Sequence, residues 1–210
     1  MKASLRLLLV VVLAVLAADQ LTKYLAVSRL TEALDGRSGL SRVSGFLSEQ
    51  NLDNDPPVEG VFRKNTRPYR FIEDYWHFRY VENPGAAWGM FSSLPDAARK
   101  AFFHVVSLVA LAFILVLYRK TEPSQKGVRV ALALITGGAL GNFVDRLIRG
   151  YVIDFIDWHW RNQPGMRWPT FNVADAAICV GVGLMLLDSF RVRRPEAVAT
   201  PLPQGSSPQP

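Results

Sequence analysis

The sequence predicts an all-α membrane protein with four transmembrane helices and both termini in the cytoplasm. Three observations lead there. Half of the 210 residues are hydrophobic. Four apolar runs, at about residues 5–27, 101–118, 128–148 and 173–190, approach the roughly 18 to 20 residues a helix needs to cross a bilayer. The basic residues gather on one side of those runs. Lys2 and Arg6 flank the first, Arg119, Lys120, Lys126 and Arg129 fill the link between the second and third, and Arg191, Arg193 and Arg194 follow the fourth. Basic flanks mark the cytoplasmic side. The net charge of +6 is therefore a topology signal, and no nucleic-acid partner is expected.

The elements follow in order. The first run has the basic start, apolar core and small Ala17-Ala18 pair of a secretory signal. The apolar pattern continues through Leu21, Tyr24, Leu25 and Val27, so an uncleaved first span is expected. Residues 29–97 then form an extracytoplasmic insert. The stretch 28–74 is rich in Gly, Ser, Asp and Asn without a helical period, and is expected to be irregular. Residues 75–82, YWHFRYVE, are aromatic and β-branched and read as a strand. Asn83-Pro84-Gly85 is a turn, and residues 86–91 return as a second short strand. Pro95 and Asp96 open the second span. In the third, Gly137 and Gly141 make a small-residue face for close helix approach. Residues 150–170 lie outside again, with Tyr151, Trp158, Trp160 and Trp168 placed as interface aromatics. Cys179, the one cysteine, is expected as a small buried apolar residue, so no intramolecular disulfide forms. The Pro-rich tail 195–210 is expected to be disordered and cytoplasmic.

The unusual polar residues converge on the outer ends of the spans. Asp19 and Lys23, four apart, share a helix face and pair. Asn142, Asp145 and Arg146 share another face. Asn172 and Asp175 open the fourth span, where Asn172 suits a cap and Asp175 the positive dipole end. Asn83 sits on the external turn. Each pair has a complete structural explanation, yet ionisable groups gathered in one leaflet are functional candidates. Asp154 and Asp175 flank the last outer segment. Two carboxyls brought together cannot both ionise cheaply, so one keeps a proton and the other becomes a base. Such a pair can activate water and hydrolyse an amide. Asn142, Arg146 and Asn172 could hold the pair or the developing oxyanion. Asp145 is read as support and Asp157 as a solvated neighbour.

Other chemistries fit less well. No G-x-S-x-G is present. A metal set from Asp154, Asp157 and His159, with His77 or His104 nearby, is conceivable, but H-E-x-x-H is absent and no ligand spacing stands out. No metal or cofactor is expected. A small proton-coupled transporter would use the same buried charges, but here they cluster at one end of the spans and no broken-helix repeats appear. A non-catalytic assembly module packed through Gly137 and Gly141 would leave Asp154 and Asp175 dispensable.

The motifs DQLTK (19–23), NPGAAWGMF (83–91), GGALGNFVDRLIRGYVIDFID (137–157) and FNVADA (171–176) together resemble those of lipoprotein signal peptidases, or signal peptidase II. These are aspartic endopeptidases of the bacterial inner membrane. The resemblance spans nearly the whole membrane part. It implies that Asp154 and Asp175 are the catalytic aspartates. It implies that Asp19, Lys23, Asn83, Gly85, Asn142, Arg146 and Asn172 form the polar ring orienting substrate and pair. It further implies a small extracytoplasmic β-sheet cradling the substrate, and cleavage of prolipoproteins just before a diacylglyceryl-modified cysteine. Contact with membrane lipid, an active site on the periplasmic side and inhibition by globomycin follow from the same likeness; a monomer is expected. Two departures stand out: the stretch 29–74 is long for the family, and WHWRNQPGMRWPT (158–170) enlarges the gap between Asp154 and Asp175.

Overall fold

The computed structural model describes residues 2–48, 66–85, 95–161, 163 and 165–190. The chain runs α1 (Lys2–Leu30), α2 (Gly39–Leu47), β1 (Tyr69–Ile72), β2 (Trp76–Asn83), α3 (Asp96–Lys120), α4 (Lys126–Arg149), β3 (Val152–Trp158) and α5 (Val173–Ser189). Among the described residues, three helices, α1, α3 and α4, are long and apolar enough to cross a membrane. The fourth expected span corresponds to α5, which has 17 residues. α1, α3 and α4 outrun their apolar runs by a few residues, because backbone hydrogen bonding continues into the polar flanks, whereas α5 matches its run to within one residue.

α4 is the hub. Half of its apolar stretch, 50%, is buried, against 11% in α1 and 22% in α3. Its glycines explain why. A Cβ on Gly137 would lie 2.8 Å from Val15 Cβ of α1, and one on Gly138 would run into the Ala174 carbonyl of α5. The small-residue face therefore lets both neighbours come close. Outward positions such as Val10, Val109 and Leu187 stay exposed, leaving an apolar outer surface. Cys179 lies on that surface. This corrects the expectation of burial: α5 packs on one side only, and the cysteine points away from it.

At one end of the bundle sits a three-stranded antiparallel sheet in the order β1-β2-β3. β2 lies within one residue of the expected strand. β3 goes beyond the expected strands: its two aspartates interrupt the β-branched and aromatic residues of VIDFIDW, and the local strand signal is weak until β2 pairs with it. The register passes from Phe78↔Ile156 to Val81↔Asp154, so β2 carries one extra residue. Such a bulge re-aims side chains, and it decides which residues face the bundle.

The stretch expected to be irregular contains both α2 and β1. α2 forms because Phe46 buries against Tyr24 edge-on, at 5.4 Å between ring centroids, joining a core of Val27, Leu34, Tyr80, Ile153 and Phe155. Tertiary packing overrides its weak local signal. Tyr151 belongs to the same core and is no interface aromatic, whereas Trp158, Trp160 and Trp168 are exposed. The second expected strand, 86–91, and the tail, 195–210, lie outside the described residues.

Candidate active site

α5 begins where Asn172 takes an extended backbone and accepts a hydrogen bond from the Asp175 amide, 3.0 Å away. Asp175 Oδ2 in turn accepts from the Asn172 amide at 3.2 Å. This reciprocal cap satisfies two otherwise orphaned donors and fixes Asp175 on the first turn, as its spacing suggested.

The Asn172 side chain does more than cap. Its Nδ2 faces Asp154 Oδ1 at 2.7 Å, Asn142 Oδ1 at 3.0 Å and the Ile153 carbonyl at 3.2 Å. Asn142 Nδ2 donates to Asp175 Oδ1 at 2.7 Å. Asn83 Nδ2 donates to Asp154 Oδ2 at 3.0 Å, while Asn83 Oδ1 accepts from the Gly85 amide at 3.1 Å. Asn172 thus ties Asp154 on β3 to Asp175 at the start of α5, and Asn142 on α4 bonds both Asn172 and Asp175. Asp154 is buried. Loss of water, then the nearby charge of Asp175, push its carboxyl up to about 8, against the donated bonds and Lys23 that favour the ionised form.

Behind this layer lies a charged one. Lys23 Nζ sits 2.8 Å from Asp19 Oδ2, 2.8 Å from Asp145 Oδ2 and 3.2 Å from Asn142 Oδ1. Asp19 Oδ1 accepts from the Ala174 amide at 3.0 Å, fastening α1 to α5. Asp145 Oδ2 accepts from the Ile153 amide at 3.2 Å, so it also holds β3. Buried charges persist only when paired and hydrogen-bonded, and these are.

Two members of this layer were missed. Arg149 pairs with Asp145 at 2.8 Å and donates to the Phe46 carbonyl; its i, i+4 spacing from Asp145 was the available signal. Gln20 bonds Asp19 and Asp145, each at 3.2 Å; nothing in its spacing distinguishes it.

Arg146 stands apart from the hydrogen-bonded cluster. Its guanidinium lies over the Phe103 ring at 5.2 Å, within electrostatic reach of Asp175 and Asp154. Asp157 is not solvated. It is fully buried and ion-paired to Arg79 at 2.9 Å and Arg167 at 2.6 Å. The conceivable metal set divides: His77, Asp157 and His159 stay together, whereas Asp154 turns to the asparagines and His104 sits on α3 bonded to the Lys100 carbonyl at 2.7 Å.

Apolar helices of spanning length around a buried cluster of acids and amides define the class, a multi-pass membrane protein built on a carboxylate centre. The chain belongs to the signal peptidase (SPase) II family, whose description matches residues 11–191, and family membership makes it a membrane-embedded peptidase. It is 50% identical over 185 residues to a lipoprotein signal peptidase of Anaeromyxobacter sp. strain Fw109-5, covering 86% of this chain and 83% of that one. It is 37% identical over 191 residues to the lipoprotein signal peptidase of Syntrophotalea carbinolica, covering 90% and 94%. A solved bacterial membrane enzyme, determined in meso at 2.3 Å, superposes with a TM-score of 0.60 at 25% identity, covering 94% of this chain and 95% of that one.

Proposed function

We propose that this peptidase is an aspartic endopeptidase that removes signal peptides from diacylglyceryl-modified prolipoproteins, cutting just before the lipidated cysteine, with Asp154 and Asp175 as its catalytic pair. The observation that carries the reading is the shared clamp: Asn172 Nδ2 holds Asp154 Oδ1 at 2.7 Å while the same residue caps Asp175.

In this reading the two carboxyls share one proton. The ionised member takes a proton from a water molecule as the water oxygen attacks the scissile carbonyl carbon. The neutral member protonates the carbonyl oxygen. The tetrahedral diol then collapses, the C–N bond breaks, and a proton passes to the departing amine. Arg146 offsets negative charge beside the pair and supports the developing oxyanion. Asn83 and Gly85 meet the substrate from the turn after β2. Asp19 and Lys23 act from beneath, orienting Asn142.

In this reading the chain crosses the inner membrane four times, with α5 the last span, the centre lies at the periplasmic rim and both termini are cytoplasmic. About 17 residues is the short limit for a crossing helix, and α5 begins at the level of the carboxyls. The substrate's acyl chains reach the site from the lipid side, each buried CH₂ contributing about 0.8 kcal/mol. The small sheet cradles the peptide, and globomycin-type inhibitors compete for the same place. The protein acts as a monomer.

The test is cleavage of a diacylated prolipoprotein by the purified protein in detergent. The parent cleaves it, and Asp154→Asn and Asp175→Asn each lose on the order of 10³-fold or more. Full activity in either variant rules the pair out.

A further inference from the structure

On the other side of the sheet, away from Asp154, three side chains meet that no step above uses. Asp157 lies three residues beyond Asp154 on β3, so strand alternation turns it to the opposite face. His77 is its direct cross-strand partner on β2. His159 follows Asp157 by two, on the same face. The bulge between Phe78 and Val81 makes this possible, since β2 presents Asn83 to the bundle and His77 to the far side.

The three are buried, and each offers one ligand atom, all within 4.8 Å of one another. The His77 and His159 rings stand 4.3 Å apart between centroids. His77 Nε2 lies 2.6 Å from the Glu73 carbonyl. A carbonyl only accepts, so Nε2 carries the proton and Nδ1 presents its lone pair, the arrangement typical of a ligating histidine. Asp157 Oδ2 takes both Arg79 and Arg167. Its Oδ1 has no hydrogen-bond partner among the described residues, and neither has either nitrogen of His159. Asp157 Oδ1 and His159 Nδ1 are 4.0 Å apart, with both side chains fully buried. Buried polar atoms without partners call for an explanation, and an absent ion is one.

We infer that His77, Asp157 and His159 form a binding site for a divalent first-row transition-metal ion of the zinc type, separate from the catalytic carboxyls. Two imidazoles and a carboxylate suit zinc, cobalt or nickel and not magnesium or calcium. A closed structural site has four protein ligands, whereas three leave a position for water. The two guanidiniums oppose a further cation. Both sit on the far oxygen of Asp157, and their side chains are 35% and 40% exposed, so solvent screens much of that repulsion. A bound ion would pin β2, β3 and the segment paired through His159↔Arg167 into one unit. That unit carries Asp154 on its other face, so binding stiffens the sheet without entering the reaction.

The test uses the full chain in detergent, stripped with a chelator and titrated with Zn²⁺ against a chromophoric competitor. One equivalent should bind. His77→Gln and His159→Gln should each weaken binding at least about tenfold, while His104→Gln, the remaining histidine of three, should bind as the parent does. Co²⁺ added to the stripped parent should give the intense d–d absorption of a low-coordinate nitrogen and oxygen site, which needs no variant to fold. Failure of the folded parent to bind Zn²⁺ stoichiometrically, absence of the Co²⁺ band, or undiminished binding in folded His159→Gln would each overturn the proposal. Loss of prolipoprotein cleavage in Asp154→Asn with Zn²⁺ binding intact separates this site from the catalytic reading.

Discussion

Lys23 Nζ reaches Asp145 Oδ2 across 2.8 Å, from α1 to α4, with both side chains fully buried. The same ammonium holds Asp19 at 2.8 Å, so one cation neutralises two acids, with Arg149 on the other side of Asp145. The site thus rests on a charged layer sealed from solvent.

Removing that cation should be costly. Lys23→Met leaves Asp19 with no ion-pair partner, and breaking a buried pair by deleting one member typically costs about 3–5 kcal/mol. Thermal unfolding in detergent should show a large drop in Tm, together with loss of cleavage. Adding Asp19→Asn to Lys23→Met should recover part of the stability. No recovery would mean the ammonium acts through packing alone.

The cap and the clamp on Asn172 can be separated. Asn172→Ser keeps a good helix cap but loses the amide that reaches Asp154. Stability should change by less than about 1 kcal/mol, while kcat falls on the order of 10²-fold, as for loss of one preorganised donor. Equal loss of folding and activity would reduce Asn172 to a cap.

Asp154 should make both activity and stability pH-dependent. Its carboxyl is pushed up to about 8 in the folded protein, against about 3.9 in an unfolded chain. Between those values the folded state binds more protons, so stability falls as pH rises from about 4 to about 8. The contribution is complete below about 4 and gone above about 8. Asp154→Asn should flatten that slope in unfolding experiments across this range. In kcat/KM the shared proton is lost above about pH 8, so activity should decline there; a profile level to pH 10 would contradict a pair sharing one proton.

Gly141 sets the distance between α1 and α4. A Cβ there would lie 2.6 Å from Asp19 Oδ2, and the charged layer has no room to move. Gly141→Ala should cost about 1–3 kcal/mol, the usual range for overpacking, and should impair cleavage. Gly183→Ala, where a Cβ meets nothing within 4 Å, should lower neither.

Chelation should leave cleavage within about twofold, because every group proposed for the chemistry is a side chain of the chain itself and acid–base catalysis by two carboxyls needs no metal. Prolipoprotein turnover with and without a strong chelator measures this directly. Inactivation reversed only by added zinc would replace the aspartic mechanism.

The sequence by itself determined the apolar helices, the strand at β2, the i, i+4 pairing of Asp19 with Lys23 and the cap at Asn172. Each is a local pattern, written in composition or in spacing along one element. The tertiary structure decided the rest. It folded α2 from an unpromising stretch by burying Phe46, buried Asp157 between two guanidiniums, and recruited Arg149 and Gln20. It also used one extra residue in β2 to send Asn83 and His77 to opposite faces. Most of those outcomes depend on partners from different elements, some of them far apart along the chain, such as Asn83 with Asp154 and Arg149 with Phe46. Spacing along a chain fixes which residues share a face; only packing fixes what that face meets.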